Sequence, residues 1–198
     1  TIIDTEKDVV QIGDSILKTE EKKYFVFYKP KNVVTSLNDP ECRPIVLDYF
    51  SKIKERIFPV GRLDFDSEGL LFMTNDGDFA NKLMHPSFEK NKVYLATVNK
   101  KLNYEQLNEF KSGIMIDSKK TSKSQIMLVE SIKNGLYAYK VVIHEGRNRQ
   151  IRKMFEYFDI NVVNLKRTEI AGITLNNLKS GEYRELTKDE FNKLMRMK

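Results

Sequence analysis

Segments suited to β-strands follow one another along most of this chain with few helices between them, and that order limits the fold more than any other feature. Residues 24–28 are aromatic and β-branched and stop at Lys29-Pro30, which predicts a strand. After a turn at Lys31-Asn32, residues 33–36 predict a second short strand, and Pro44 suits the first turn of a helix reaching Phe50. Residues 61–69 form a polar loop that leads into an apolar strand at 70–73. Lys92–Val98 carries apolar residues on both faces, as expected of a strand central in its sheet. Further strands are predicted at 124–130, Leu136–Ile143 and 162–167.

Helices are fewer. Asn75 or Asp76 can cap a short one whose Phe79, Ala80, Leu83 and Met84 share a face. Residues 104–111 read as a second. In the third, Ile151, Met154, Phe155 and Phe158 recur at i, i+3, i+4 and i+7, while Arg149, Arg152, Lys153 and Glu156 fall outside that stripe. A fourth closes the chain at 188–197. With consecutive strands, no Gly-rich phosphate loop and no internal repeat, the expected class is α+β and not doubly wound α/β.

The length of 198 residues suits one domain, or two small lobes sharing a core. Lys and Arg number 34 against 28 Asp and Glu, a net charge of +6, which suits a polyanionic partner such as nucleic acid. A lysine-rich solubilising surface explains the same charge. The single cysteine, Cys42, excludes an internal disulfide and a multi-cysteine zinc site and fits a reducing cytosol. Apolar runs are too short to span a bilayer, and no signal-peptide pattern opens the chain. It begins at Thr1, as expected of a fragment.

Gly61-Arg62-Leu63-Asp64-Phe65-Asp66-Ser67-Glu68-Gly69 packs three carboxylates and an arginine into nine residues. Asp64, Asp66, Glu68 and Gly69 fall at positions one, three, five and six of a calcium loop, but position twelve is Asn75, which cannot give the closing bidentate carboxylate. No metal is therefore expected. An acidic surface turn and a loop presenting a catalytic carboxylate remain.

Other segments favour the second of these. Gly61-Arg62-Leu63-Asp64, then Gly69-Leu70-Leu71 and Thr74-Asn75-Asp76-Gly77, resembles the catalytic signature of the pseudouridine synthases of the RsuA/RluB type, which modify ribosomal RNA. Lys29-Pro30 resembles that family's first motif, with Asn32 where a glycine is usual. His85-Pro86 followed by Lys92 and Tyr94 resembles the next landmark. Residues 145–154 (Glu-Gly-Arg-Asn-Arg-Gln-Ile-Arg-Lys-Met) resemble a later one, and Gly181-Glu182-Tyr183-Arg184 with Leu186-Thr187 resembles the family's ending. The motifs stand in the family's order from about residue 24 to the C-terminus.

The resemblance implies the pseudouridine synthase fold, a mixed and mainly antiparallel sheet with flanking helices in two small α+β lobes. Residues 21–198 would be the catalytic domain. Residues 1–20 would be the tail of an N-terminal RNA-binding module of the alpha-L type plus a linker, with residues 9–14 as its last strand and turn. The implied reaction is an isomerisation: the bond from C1′ to N1 of uridine breaks, the base turns, and C1′ rejoins to C5, with no cofactor.

By the same resemblance Asp64 acts as nucleophile or as base at the sugar, and Arg152 pairs with it to keep it charged and oriented. Tyr94 stacks on the target uracil, and Arg62 fills the space left by the flipped nucleotide. Arg147, Arg149, Lys166 and Arg167 are expected to contact phosphates, whereas His85 and His144 read as structural. The implied partner is a ribosomal RNA stem-loop met by a cytoplasmic monomer. The Gly-Arg-Asn-Arg-Gln sequence, lacking His, is nearer to large-subunit members. Two other classes remain open: a non-catalytic RNA-binding module on this fold, and a metal-dependent nuclease using Asp64, Asp66 and Glu68.

Overall fold

The computed structural model describes residues 10–12, 15–17, 20–85 and 90–196. A small hairpin of β1 (Val10–Ile12) and β2 (Ser15–Leu17) comes first. Then follow β3 (Tyr24–Lys29), a 3-10 turn (Val46–Phe50), β4 (Phe58–Val60), β5 (Glu68–Thr74), α1 (Gly77–Met84) and β6 (Lys92–Val98). The chain continues through α2 (Tyr104–Ser112), the short pair β7 (Met115–Ile116) and β8 (Lys119–Lys120), β9 (Gln125–Ile132) and β10 (Leu136–Ile143). It ends with α3 (Gln150–Glu156), β11 (Val162–Ile170), β12 (Ile173–Thr174), β13 (Tyr183–Glu185) and α4 (Lys188–Arg196). The class is α+β, as the order of segments predicted.

One sheet runs β13-β3-β5-β11-β6-β10-β9, with β4 on β5 and β12 on β11. All its pairings are antiparallel except β5 with β11, where Glu68 faces Lys166 and Gly69 faces Arg167. That parallel contact is brief. β3 takes one edge of β5; on the other, β11 pairs at Glu68 and Gly69 and β4 pairs further on, from Phe72 to Thr74. The sheet forks there, and the loop between β4 and β5 (residues 61–67) sits at the fork.

The uninterrupted apolar runs of β3 and β5 reflect burial on both faces. Phe25, Phe27, Leu71 and Met73 pack under the 3-10 turn against Val46 and Phe50. The alternate positions Val26, Tyr28, Leu70 and Phe72 pack against Phe79 and Ala80 of α1 and Leu194 of α4. In the other half, Tyr94, Ala96, Val98, Tyr139, Val141 and Leu165 of the sheet meet Phe110 of α2 and Ile151, Met154 and Phe155 of α3. Phe158 packs at the edge of this cluster, beyond the end of the helix.

Two expected elements differ. Residues 33–36 form an isolated bridge, Val34 with Ile45, and no strand. Residues 46–50 make a 3-10 turn that starts after Pro44 and has no side-chain cap. The chain here is held by the burial of Val33, Val46 and Phe50 and by the two backbone bonds of that single bridge, Val34 to Pro44 and Val46 to Val34. Residue 197, the expected end of the last helix, and Pro86 lie outside the described residues.

Candidate active site

The fork opens into a cleft of about 830 Å³ between the 61–67 loop, the C-terminal end of α1, the centre of β6 and β11, and the segment leading into α3. Arg62, Asp64, Tyr94, Arg147, Arg149 and Arg167 all line it. These side chains come from four segments far apart in sequence, and the fold brings them to one place.

The 61–67 loop is held from behind. Lys29, at the end of β3 and wholly buried, sends its ammonium to the carbonyls of Asp64 (3.2 Å), Ser67 (2.9 Å) and Pro30 (2.9 Å). Three acceptors match the three donors of a charged lysine. Burial nonetheless lowers this group to about 8, a fall that the charge of Asp64 partly offsets. Thr35 Oγ1 donates to the Leu63 carbonyl and accepts from its amide, and the Asn32 amide donates to the Phe65 carbonyl at 2.7 Å. Asn32 has φ +59°, a left-handed conformation that asparagine tolerates where glycine is usual.

Tyr94 sits mid-strand on β6, between Val141 of β10 and Arg167 of β11. The Arg167 guanidinium is buried beside it: Nη1 donates to the Tyr94 hydroxyl (3.4 Å) and Nε to the Leu70 carbonyl (2.7 Å). Arg167, expected to contact a phosphate, is thus largely buried in the wall of the cleft and not spread on an exposed face. Lys166, one step along the pleat, does not line the cleft; its Nζ lies 4.5 Å from the centre of the Tyr28 ring. Adjacent strand residues point to opposite sides, so the two cations face opposite sides of the sheet.

The arginines before and within α3 converge on the loop, though not in the expected pairing. Arg152 was expected against Asp64. Its Nη2 lies instead 3.3 Å from the Asp66 carboxylate and 3.0 Å from the Asp66 carbonyl, while Nη1 donates to the Val162 carbonyl at 2.8 Å. Arg149 makes the approach to Asp64, at 3.8 Å, and holds Asp66 through two parallel bonds of 3.0 and 3.1 Å. The reason is geometric. Arg149 precedes the helix in a left-handed conformation, φ +50°, which turns its side chain back over the loop, whereas Arg152 lies a turn deeper.

Asp66 thus emerges as a hub that residue-by-residue reading missed. Burial works to raise its pKa, but the Arg149 hydrogen bond and the charges of Arg152 and Arg149 outweigh it, and the carboxyl is held below its usual range. Its alternation with Asp64 in a loop facing an arginine-rich helix was the available signal. Glu68, the third carboxylate, is engaged elsewhere, accepting from the Tyr28 hydroxyl (2.7 Å) and from Asn164 (3.0 Å). The three carboxylates therefore do not converge on a common point.

Arg147 lines the cleft but also donates to the carbonyls of Lys119 (3.0 Å) and Ile116, tying the β7–β8 hairpin to the rim. His85 and His144, expected to be structural, both line the cleft. Cys42 is an exposed free thiol.

Comparison with known proteins agrees with this architecture. Residues 23–157 match the RNA pseudouridylate synthase family. Over 191 residues the chain is 41% identical to the ribosomal large subunit pseudouridine synthase B of Bacillus subtilis, covering 96% of this chain and 78% of that protein. It is 34% identical to the dual-specificity RNA pseudouridine synthase RluF of Escherichia coli, covering 96% of this chain and 64% of the relative. A crystal structure of a pseudouridylate synthase superposes with a TM-score of 0.78 at 30% identity, over 98% of this chain and 83% of the other. With this fold and these relatives, the chain belongs to the RNA pseudouridine synthases, a family of isomerases.

Proposed function

We propose that this chain converts a uridine of large-subunit ribosomal RNA to pseudouridine, with Asp64 as the carboxylate that attacks C1′ or takes a proton from the sugar. The observation that carries the reading is the meeting of Asp64 and Tyr94 in one cleft among basic side chains: Arg62, Arg147 and Arg149 line the same opening. A flipped base could lie on Tyr94 with its sugar toward Asp64, and the arginines would hold the flanking phosphates. Arg62 would fill the place the nucleotide leaves. Arg152 acts through Asp66 and so serves as a positioning residue.

The ribosomal substrate follows the relative from Bacillus subtilis and the Gly-Arg-Asn-Arg-Gln segment at 146–150. A stem-loop met by a monomer in the cytoplasm is the working picture, with residues 21–198 as the catalytic domain. Residues 1–20 would be the tail of an RNA-binding module. Among the described residues no helix is long and apolar enough to cross a membrane.

The test is to map pseudouridine in ribosomal RNA from cells lacking the gene, then to complement with wild type and Asp64→Asn. One large-subunit site should disappear on deletion and return only with wild type. Unchanged rRNA, or rescue by Asp64→Asn, would overturn the proposal.

A further inference from the structure

Arg167 is 5% exposed and carries a charge it cannot shed. Its two hydrogen-bond acceptors, the Leu70 carbonyl and the Tyr94 hydroxyl, are neutral. Among the described residues no carboxylate lies within ion-pair distance of it: Asp64 and Asp66 face Arg149, Asp66 also faces Arg152, and Glu68 accepts from Tyr28 and Asn164. Lys29, also buried, lies near enough for the two cations to oppose each other. Removing a cation from water without an anion in contact is costly, and the fold accepts that cost for Arg167 at the cleft wall.

The position is built, not incidental. Arg167 lies at the end of the parallel contact between β5 and β11, opposite Gly69. A Cβ on Gly69 would lie 2.2 Å from the Arg167 carbonyl oxygen, and Gly69 has φ +117°. Only glycine lets β5 approach closely enough for Arg167 Nε to reach the Leu70 carbonyl. With Nε and Nη1 so engaged, Nη2 remains for a ligand in the cleft that Arg167 lines.

We infer that Arg167 is a catalytic residue whose guanidinium meets a carbonyl oxygen of the detached uracil and holds the base's negative charge between bond breakage and bond formation. This rests on the reading of the cleft given under Proposed function. When the C1′–N1 bond breaks, both electrons stay with the base, and the charge spreads over N1 and the two carbonyl oxygens. After the base turns, C5 bonds to C1′, the C5 proton leaves and N1 takes up a proton, so nothing is consumed. A fixed cation in a site that excludes water favours the charged stage over the neutral substrate, as a preorganised oxyanion site does. It also keeps hold of the base while no covalent bond does.

The experiment compares Arg167→Met, Arg167→Lys and Asp64→Asn with wild type on an unmodified large-subunit rRNA transcript, measuring turnover at saturation, RNA affinity and thermal unfolding. A second transcript carries 5-fluorouridine throughout, whose ring bears negative charge more easily, and is followed in a single turnover. Arg167→Met should fold, lose turnover by about 10²–10³-fold and keep RNA affinity within about threefold. Arg167→Lys should recover at least about tenfold of that loss, and the Met deficit should shrink several-fold on 5-fluorouridine.

Turnover of Arg167→Met near wild type overturns the inference. So does a loss confined to affinity and its salt dependence, which would mean a phosphate contact. An equal deficit on both transcripts overturns it too, because a guanidinium that merely props Tyr94 is indifferent to the base. If Arg167→Met does not fold, Arg167→Lys decides: turnover within about tenfold of wild type supports the role, and turnover as low as Asp64→Asn removes it. Full activity of Asp64→Asn would instead overturn the reading of the cleft itself.

Discussion

At the scale of single residues, the cleft is organised by two side chains that stand behind the proposed catalytic carboxylate. Asp66 gathers Arg149 and Arg152, so Asp66→Asn frees two guanidinium groups and lets Arg149 close its 3.8 Å gap to Asp64. Turnover should fall about tenfold, while RNA binding should hold or tighten because a negative charge has gone. A kinetic comparison at saturating RNA checks the split, and weaker binding would contradict it. Lys29 offers a pH test. Burial lowers it to about 8, from 10.5 in an unfolded chain. Between those values the unfolded chain holds a proton that the folded one has released, so unfolding takes up a proton and stability rises with pH. Tyr24 and Tyr28 are pushed up by burial and act in the opposite sense above about pH 10. Urea unfolding between pH 8 and about 9.5 should therefore show stability rising in wild type and rising less in Lys29→Met.

At the scale of elements, the antiparallel ladder of β11 with β6 sets Arg167 beside Tyr94, and the brief parallel contact of β5 with β11, which Gly69 permits, brings the Leu70 carbonyl to its guanidinium. Gly69→Ala should destabilise the protein by about 1–3 kcal/mol or more, since the new methyl meets the backbone of β11 and not a movable side chain. The loss should be accompanied by inactivity even below the melting temperature, because the strand that presents Arg167 is displaced. Thermal unfolding and turnover on the same sample check both. By contrast α1 is specified locally: Asp76 accepts from the amides of Asp78 (3.0 Å) and Phe79 (3.3 Å) as its cap, and Tyr24 donates to the same carboxylate at 2.7 Å.

At the scale of the whole molecule, a net charge of +6 is less informative than its placement, with Arg62, Lys90, Arg147 and Arg149 around one opening. The logarithm of RNA affinity should fall linearly with the logarithm of salt concentration. Arg147→Met should lower the steepness of that line by roughly 0.7–0.9. The carbonyls that Arg147 now engages do not neutralise it, so its charge remains available to a phosphate. An unchanged slope with a lowered melting temperature would assign Arg147 to anchoring the β7–β8 hairpin alone.

Periodicity along the chain was enough for β6, β10 and the buried stripe of α3, because a side chain's face depends only on its neighbours' spacing. Asp76 as a cap, the α+β class and the residues that gather around Asp64 were legible for the same local reason or by motif. The partners of those residues were not. Whether Arg152 meets Asp64 or Asp66 turns on the left-handed backbone at Arg149, and the burial of Arg167 follows from the approach of β5 at Gly69. Residues 33–36 look like a strand but make only one bridge, Val34 with Ile45, while Thr35 is turned to hold Leu63. Local spacing decides which way a side chain faces; only the packed sheet decides what it faces, since charges and hydrogen bonds act across a few ångströms whatever the distance along the chain.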